Sequence, residues 1–129
     1  MDENNRSRDW YLQAQDDLQW ARDSIATKHF AQASFVAQQA SEKALKSLAL
    51  HRSFVLPRTH SVLQLAFALK VNGEIEKAAR FLDRFYISAR YPDAYPAGFP
   101  SQYIGEEDAQ RAFESATKIL DAVQCEFSR

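Results

Sequence analysis

FAQASFVAQQASEKALKSLALH, residues 30–51, is the stretch on which the fold turns. Within it Ala33, Ala37, Ala40, Ala44 and then Leu48 recur at three- and four-residue steps, the period of a helix. A stripe of such small residues lets a second helix axis come close, so this segment is expected to be the central helix. Glu42 and Lys46 stand four apart in the order that supports a helix.

Working outward, a first helix is expected from about Arg6 to Lys28. Trp10, Ala14, Leu18 (or Ala21) and Ile25 would face inward, and Asp9, Asp16, Asp17, Arg22 and Asp23 outward. On the other side, Pro57 ends the central helix and Phe54 to Thr59 reads as a loop. A third, shorter helix begins near His60 or Ser61, with Thr59 as the expected N-cap, and carries Val62, Leu63, Leu65, Ala66 and Leu69. Asn72-Gly73 reads as a stop and turn. A fourth helix over about Glu74 to Ala89 would bury Ile75, Ala78, Ala79, Leu82 and Phe85 or Tyr86. The last runs from about Glu106 to Phe127, with Ala109, Phe113, Ala116, Leu120, Val123 and Phe127 inward and an acidic start suited to the helix dipole.

Between these helices lies RYPDAYPAGFPSQYIG, residues 90–105, with three of the four prolines and two of the three glycines. Its Tyr91, Tyr95, Phe99 and Tyr103 are too many aromatics for a disordered linker, so it is expected to pack against the helices. The fold class that follows is all-α: one domain over residues 1–129, an antiparallel up-and-down bundle of four main helices plus a shorter one.

Composition bounds the function. With 129 residues, 46% apolar and 26% charged, the chain is one ordinary globular domain. The lone Cys125 excludes an internal disulfide and is expected to be a packing thiol. The polar start MDENNRSRDW is not a signal peptide, and no apolar run approaches the ~20 residues that span a bilayer. A cytoplasmic protein without membrane contact is expected. A net charge of −1 argues against general, charge-driven binding of nucleic acid. Yet residues 43–93 hold nine bases against four acids, while both ends are acidic. That middle is either an unevenly charged surface or an anion site.

No Gly-rich phosphate loop, nucleophile elbow or Glu-x-x-His pair is present, and His29, His51 and His60 lie in separate segments, so no metal site is expected. Three candidates remain. Lys43 and Lys46 either belong to a solvated face or flank an anion-binding groove. Arg90, in Arg90-Tyr91-Pro92-Asp93, either stabilises helix-terminal carbonyls and pins its loop, with Asp93 available as ion-pair partner, or serves as a phosphate fork, with Tyr91 or Tyr95 as a stacking surface. His60, in Arg58-Thr59-His60, is either a capping residue or a ligand contact.

At these places the chain resembles the HEPN family (higher eukaryotes and prokaryotes nucleotide-binding domain). Trp10 through Ala14 with Leu18, AQQASEKALK at 37–46, Thr59-His60-Ser61 and ARYPDAYPAG at 89–98 follow in the family's order, over about residues 8–125. The resemblance implies a homodimer with the ligand site in its groove. Joined to the candidates above, it leads to the expectation of a nucleotide or RNA phosphate bound there, without a cofactor, through Arg90, Tyr91, Asp93, Tyr95, Lys43, Lys46 and His60. It also implies a minimal nucleotidyltransferase as partner in a toxin–antitoxin pair. Many relatives are metal-independent ribonucleases that use an Arg, a short spacer and a His late in the bundle. Here no His follows Lys70, and the Arg22…His29 spacing falls at the end of the first helix, the wrong segment. No catalytic residue is therefore assigned, and the alternatives are a ribonuclease with an altered site or a protein-docking module.

Overall fold

The computed structural model describes residues 5–129; the first four residues of the polar N-terminal stretch lie outside the described ones. Helix α1 (Ser7–Ala26) and α2 (Phe30–His51) pair antiparallel along most of their length. Short α3 (Val62–Leu69) and α4 (Gly73–Leu82) follow, then one turn, α5 (Phe85–Ser88). A 3-10 turn at Pro92–Ala94 and the short α6 (Pro100–Tyr103) lead to α7 (Glu106–Phe127), which lies on α1, α2 and α4.

The central position of α2 follows from its sequence. Ala33, Ala37, Ala40, Ala44 and Leu48 are all buried, as their spacing predicts. Ser34, Gln38, Ser41, Glu42 and Ser47 are buried as well, so α2 is enclosed on more than its apolar stripe. Ser34, Ser41 and Ser47 return their hydroxyls to carbonyls of their own helix, those of Phe30, Ala37 and Ala44, and so need no outside partner.

Several expectations shift. In α1 the buried set is Tyr11, Ala14, Asp17, Ala21 and Ser24, one step round from the predicted stripe. Trp10 is 37% exposed, while Tyr11 goes in because its hydroxyl donates to the Leu120 carbonyl at 3.2 Å. Asp17, placed outward from sequence, is buried on an ion pair with Lys43. The cap of α3 is Ser61, whose Oγ accepts from the Gln64 amide; Thr59 accepts from the Ser61 amide one step earlier. Asn72 starts a helix rather than ending one, accepting from the Ile75 amide, and Lys70 is the left-handed cap that closes α3. The fourth predicted helix is interrupted at Asp83-Arg84. There the Asp83 carboxylate accepts from the Ser61 hydroxyl and the Val62 amide, both at 2.6 Å, and so caps α3 from a neighbouring segment.

Residues 90–105 settle chiefly on one another. Tyr95 and Tyr103 stack at 4.2 Å and 4°, and the Tyr103 hydroxyl donates to the Ala97 carbonyl. Only Pro100 and Ile104 are buried, whereas Tyr91, Phe99 and Tyr103 stay about half exposed. Cys125 is exposed, not packed, because it points away from the inward line of Leu120 and Val123.

Candidate functional site

Along its length α2 presents a polar row, Gln38, Gln39, Glu42, Lys43 and Lys46, that the bundle does not need for solubility. Glu42 is only 4% exposed, a depth at which a carboxylate must be hydrogen-bonded or lose heavily. It accepts from the His60 ring at Nδ1 (3.0 Å) and from Gln39 Nε2 (3.1 Å), with Lys46 Nζ at 3.4 Å. Gln39 also donates to the Gln38 side chain, and Gln38 donates to the His60 carbonyl at 3.0 Å. Both the ring and the backbone of His60 are therefore tied to α2.

Arg90 closes the other end of this row. Its Nε donates to the Tyr86 carbonyl at 2.7 Å. Its guanidinium carbon lies 4.6 Å from the Phe35 ring, 4.5 Å from Tyr86 and 4.7 Å from Tyr91, inside the range of cation–π attraction. Among the described residues it makes no ion pair. Asp93, read as its available partner, is exposed on the 3-10 turn and is not paired with it. Arg90 is thus fixed in place by a carbonyl and three rings, with its charge left unneutralised.

Two hollows flank the row. One, of about 420 Å³, is lined by Asp17, Trp20, Phe35, Gln39, Lys43 and Arg90 among others. In it Lys43 is paired with Asp17, so Arg90 carries the free charge. The other, of about 710 Å³, is lined by Trp10, Lys46, Phe54, Arg58 and His60 with neighbouring apolar residues. Tyr86 joins the two: the His60 ring stacks on it at 4.7 Å and 13°, and Arg90 lies against it as well.

The candidate residues therefore divide. Arg90 and Lys43 share the smaller hollow, and His60 and Lys46 share the larger. Tyr91 enters through its contact with Arg90, while Asp93 and Tyr95 line neither. Tyr95 has one ring face taken by Tyr103. Arg22 and His29 line separate hollows elsewhere. Sequence reading passed over Trp20 and Phe35 and placed Tyr86 only as an alternative core residue. Trp20 carried a usable signal: it is 61% exposed on α1, off the buried face, where nothing in the fold requires a large ring.

The profile of the HEPN domain matches residues 7–126, nearly the whole chain. The chain belongs to the HEPN family. TT1696 from Thermus thermophilus is 41% identical to it, with a TM-score of 0.87 over 93% of this chain and 97% of that one. ST0689, an archaeal HEPN homologue, is 35% identical, with a TM-score of 0.80 over 94% of this chain and 97% of its own. A HEPN domain protein from Thermotoga maritima is 27% identical, with a TM-score of 0.76 over 93% and 98%. No curated protein matches the chain. This HEPN chain is all-helical, and among the described residues no helix is long and apolar enough to cross a membrane.

Proposed function

We propose that this HEPN domain binds the phosphate of a nucleotide or RNA in the hollow between α1, α2 and Arg90. One observation carries the reading: Arg90 is held by the Tyr86 carbonyl and three rings, with no carboxylate among the described residues to neutralise it. A guanidinium fixed at Nε still offers its two terminal nitrogens as a fork for phosphate oxygens. Lys43 adds a second, partly neutralised cation, and Trp20 or Tyr91 supplies a ring for a base to stack on. In this reading Lys46 and His60 approach the ligand from the far side of Tyr86, and Asp93 and Tyr95 shape the turn that carries Tyr91.

The family resemblance extends the proposal to a homodimer, with the hollow in its groove, and to a minimal nucleotidyltransferase as partner in a toxin–antitoxin pair. Ile87 and Phe99, about half exposed to either side of Arg90 in sequence, are apolar surface that a second copy would cover. A solution molar mass twice that of the 14.7 kDa chain is the expected result.

Calorimetric titration of ATP, GTP and a short single-stranded RNA tests the binding. Affinity should fall about ten- to a hundredfold in folded Arg90→Ala, the worth of a charge-assisted fork. Unchanged affinity in that variant overturns the assignment.

A second reading, a metal-independent ribonuclease, has its own support in the His60–Glu42 bond. A carboxylate on Nδ1 fixes the tautomer and leaves Nε2 as the base, an arrangement suited to proton transfer. Cleavage of single-stranded RNA in EDTA, lost in His60→Ala, would establish it.

A further inference from the structure

The larger hollow has no assigned ligand of its own in that reading, although it repeats the chemistry of the smaller. We infer that it is a second nucleotide subsite, and that the natural ligand is a short single-stranded oligonucleotide running from Arg90 to Arg58 across the face of α2. The inference rests on the proposed phosphate role of Arg90 and extends it.

Each hollow pairs an exposed aromatic wall with cations. Trp20 and Lys43 line the first, and Trp10 and Lys46 the second, with Lys46 Nζ 5.7 Å from the Trp10 ring. Both tryptophans stand on α1, ten residues apart, which is about 15 Å along the axis. Both lysines stand on α2, one turn apart. A strand of a few nucleotides spans that distance. Tyr86 bridges the gap, lying against Arg90 on one side and stacked with His60 on the other.

Charge selects the occupant. The walls of the larger hollow are apolar enough for a peptide, since Phe54 is 44% and Val55 90% exposed. Its rim, however, carries Lys46, Arg58 and His60, and Arg58 makes no ion pair among the described residues. Among the described residues no carboxylate lines it, and Glu42, which holds its His60, is buried and already shared among His60, Gln39 and Lys46. Rings for stacking beside an unpaired Arg58 and a partly neutralised Lys46 suit a single strand, and stacking accepts any base.

The test compares AMP with oligoadenylates of two, four and six nucleotides, as RNA and as DNA, by calorimetry on the intact chain. Affinity should rise about tenfold or more from the mononucleotide to the tetranucleotide. Trp10→Ala and Arg58→Ala should each remove most of that gain and leave AMP binding unchanged. Arg58 is exposed, so its variant keeps the test sound if Trp10→Ala unfolds. Equal gains for RNA and DNA support stacking and phosphate contact alone, and a gain for RNA only supports the subsite with ribose contact added. If AMP binds and is lost in Arg90→Ala, but the tetranucleotide is no tighter or ignores both variants, the second subsite is overturned and the Arg90 site stands. If the tetranucleotide gives no gain while an acidic apolar peptide perturbs Trp10 fluorescence, the hollow is a protein-docking site instead. If neither AMP nor any oligomer binds, the Arg90 reading falls and the subsite with it.

Discussion

Two arginines of this bundle are held rigidly, and by opposite means. Arg52, just past the end of α2, forks onto Glu126 of α7 with both bonds at 2.6 Å and gives a third to the Leu69 carbonyl. The hydrogen bond to Glu126, opposed by partial burial and helped by its charge, raises the Arg52 pKa above its ordinary value, and the Glu126 carboxyl is lowered in return. That arginine ties α2 to α7 and the end of α3, and its charge is spent. Arg90 is fixed by one carbonyl and three rings, none of which cancels its charge. The lesson is that rigidity alone does not mark a functional arginine. The proposed binding role of Arg90 rests on rigidity without neutralisation, a charge held in place and left for a ligand.

The largest expected effect breaks the comparison directly. Arg90→Ala should lower nucleotide or RNA affinity about ten- to a hundredfold while the protein stays folded. Arg52→Ala should leave affinity alone and lower stability. Arg90→Lys should recover only part of the binding, since an ammonium lacks the planar fork. Affinity that followed Arg52 as closely as Arg90 would mean that binding reports stability and nothing more.

Next in size is the buried carboxylate between the two hollows. Glu42→Ala leaves Gln39 without one of its acceptors and frees the His60 ring, and it should cost about 1–3 kcal/mol in urea unfolding. Lys46 and His60 are exposed enough to return to water, which keeps the cost at that level. A loss below about 0.5 kcal/mol would mean that the network is a solvated decoration.

Glu42 also shows how much of the site was legible from sequence. The small-residue stripe named α2 as the central helix because burial and periodicity are written in the same residues. Lys43, Lys46, His60 and Arg90 stood out as cations and a titratable ring in a basic middle. What the sequence withheld was the grouping. Nothing in the order of residues says that His60 returns to Glu42 across eighteen positions, or that Tyr86 lies against both His60 and Arg90. The one-step error in α1 has the same origin. Trp10 is the better core residue by hydrophobicity, and Tyr11 displaced it through a hydroxyl bond to Leu120, 109 positions away. Long-range polar pairing is invisible to a local pattern.

A smaller effect separates Arg90 from the loop beside it. Gly98 has φ +82°, and a Cβ there would meet the Gln102 side chain, which accepts from the Phe99 amide. Gly98→Ala should therefore cost about 1–2 kcal/mol of local strain. Because Arg90 is anchored to Tyr86 and Phe35, outside that loop, nucleotide affinity should change less than twofold. Binding lost along with the loop would show that residues 90–105 hold the site together.

The smallest effect belongs to the arginine with a neutralised charge. The hydrogen bond from Arg52, opposed by partial burial and helped by the Arg52 charge, lowers the Glu126 carboxyl below its ordinary 4.5. A carboxyl depressed in the folded state contributes stability that is fully present above its unfolded value. That contribution is lost as pH falls through the folded value. The pair should thus contribute at neutral pH, begin to weaken below about pH 4.5, and vanish once Glu126 is protonated in the native state. Both side chains are partly exposed, at 34% and 22%, so water and salt screen them and the contribution should be near 1 kcal/mol or less. Urea unfolding of wild type and Glu126→Gln at pH 7 and pH 3 reads it directly. The gap between the two proteins should be open at pH 7 and narrower at pH 3, and added salt should shrink it at pH 7. Arg90 has no carboxylate partner among the described residues to titrate, so Arg90→Ala and wild type should keep the same stability difference at both pH values. A gap for Arg90→Ala that closed in acid would reveal a carboxylate partner in solution, and the contrast between the two arginines would fail.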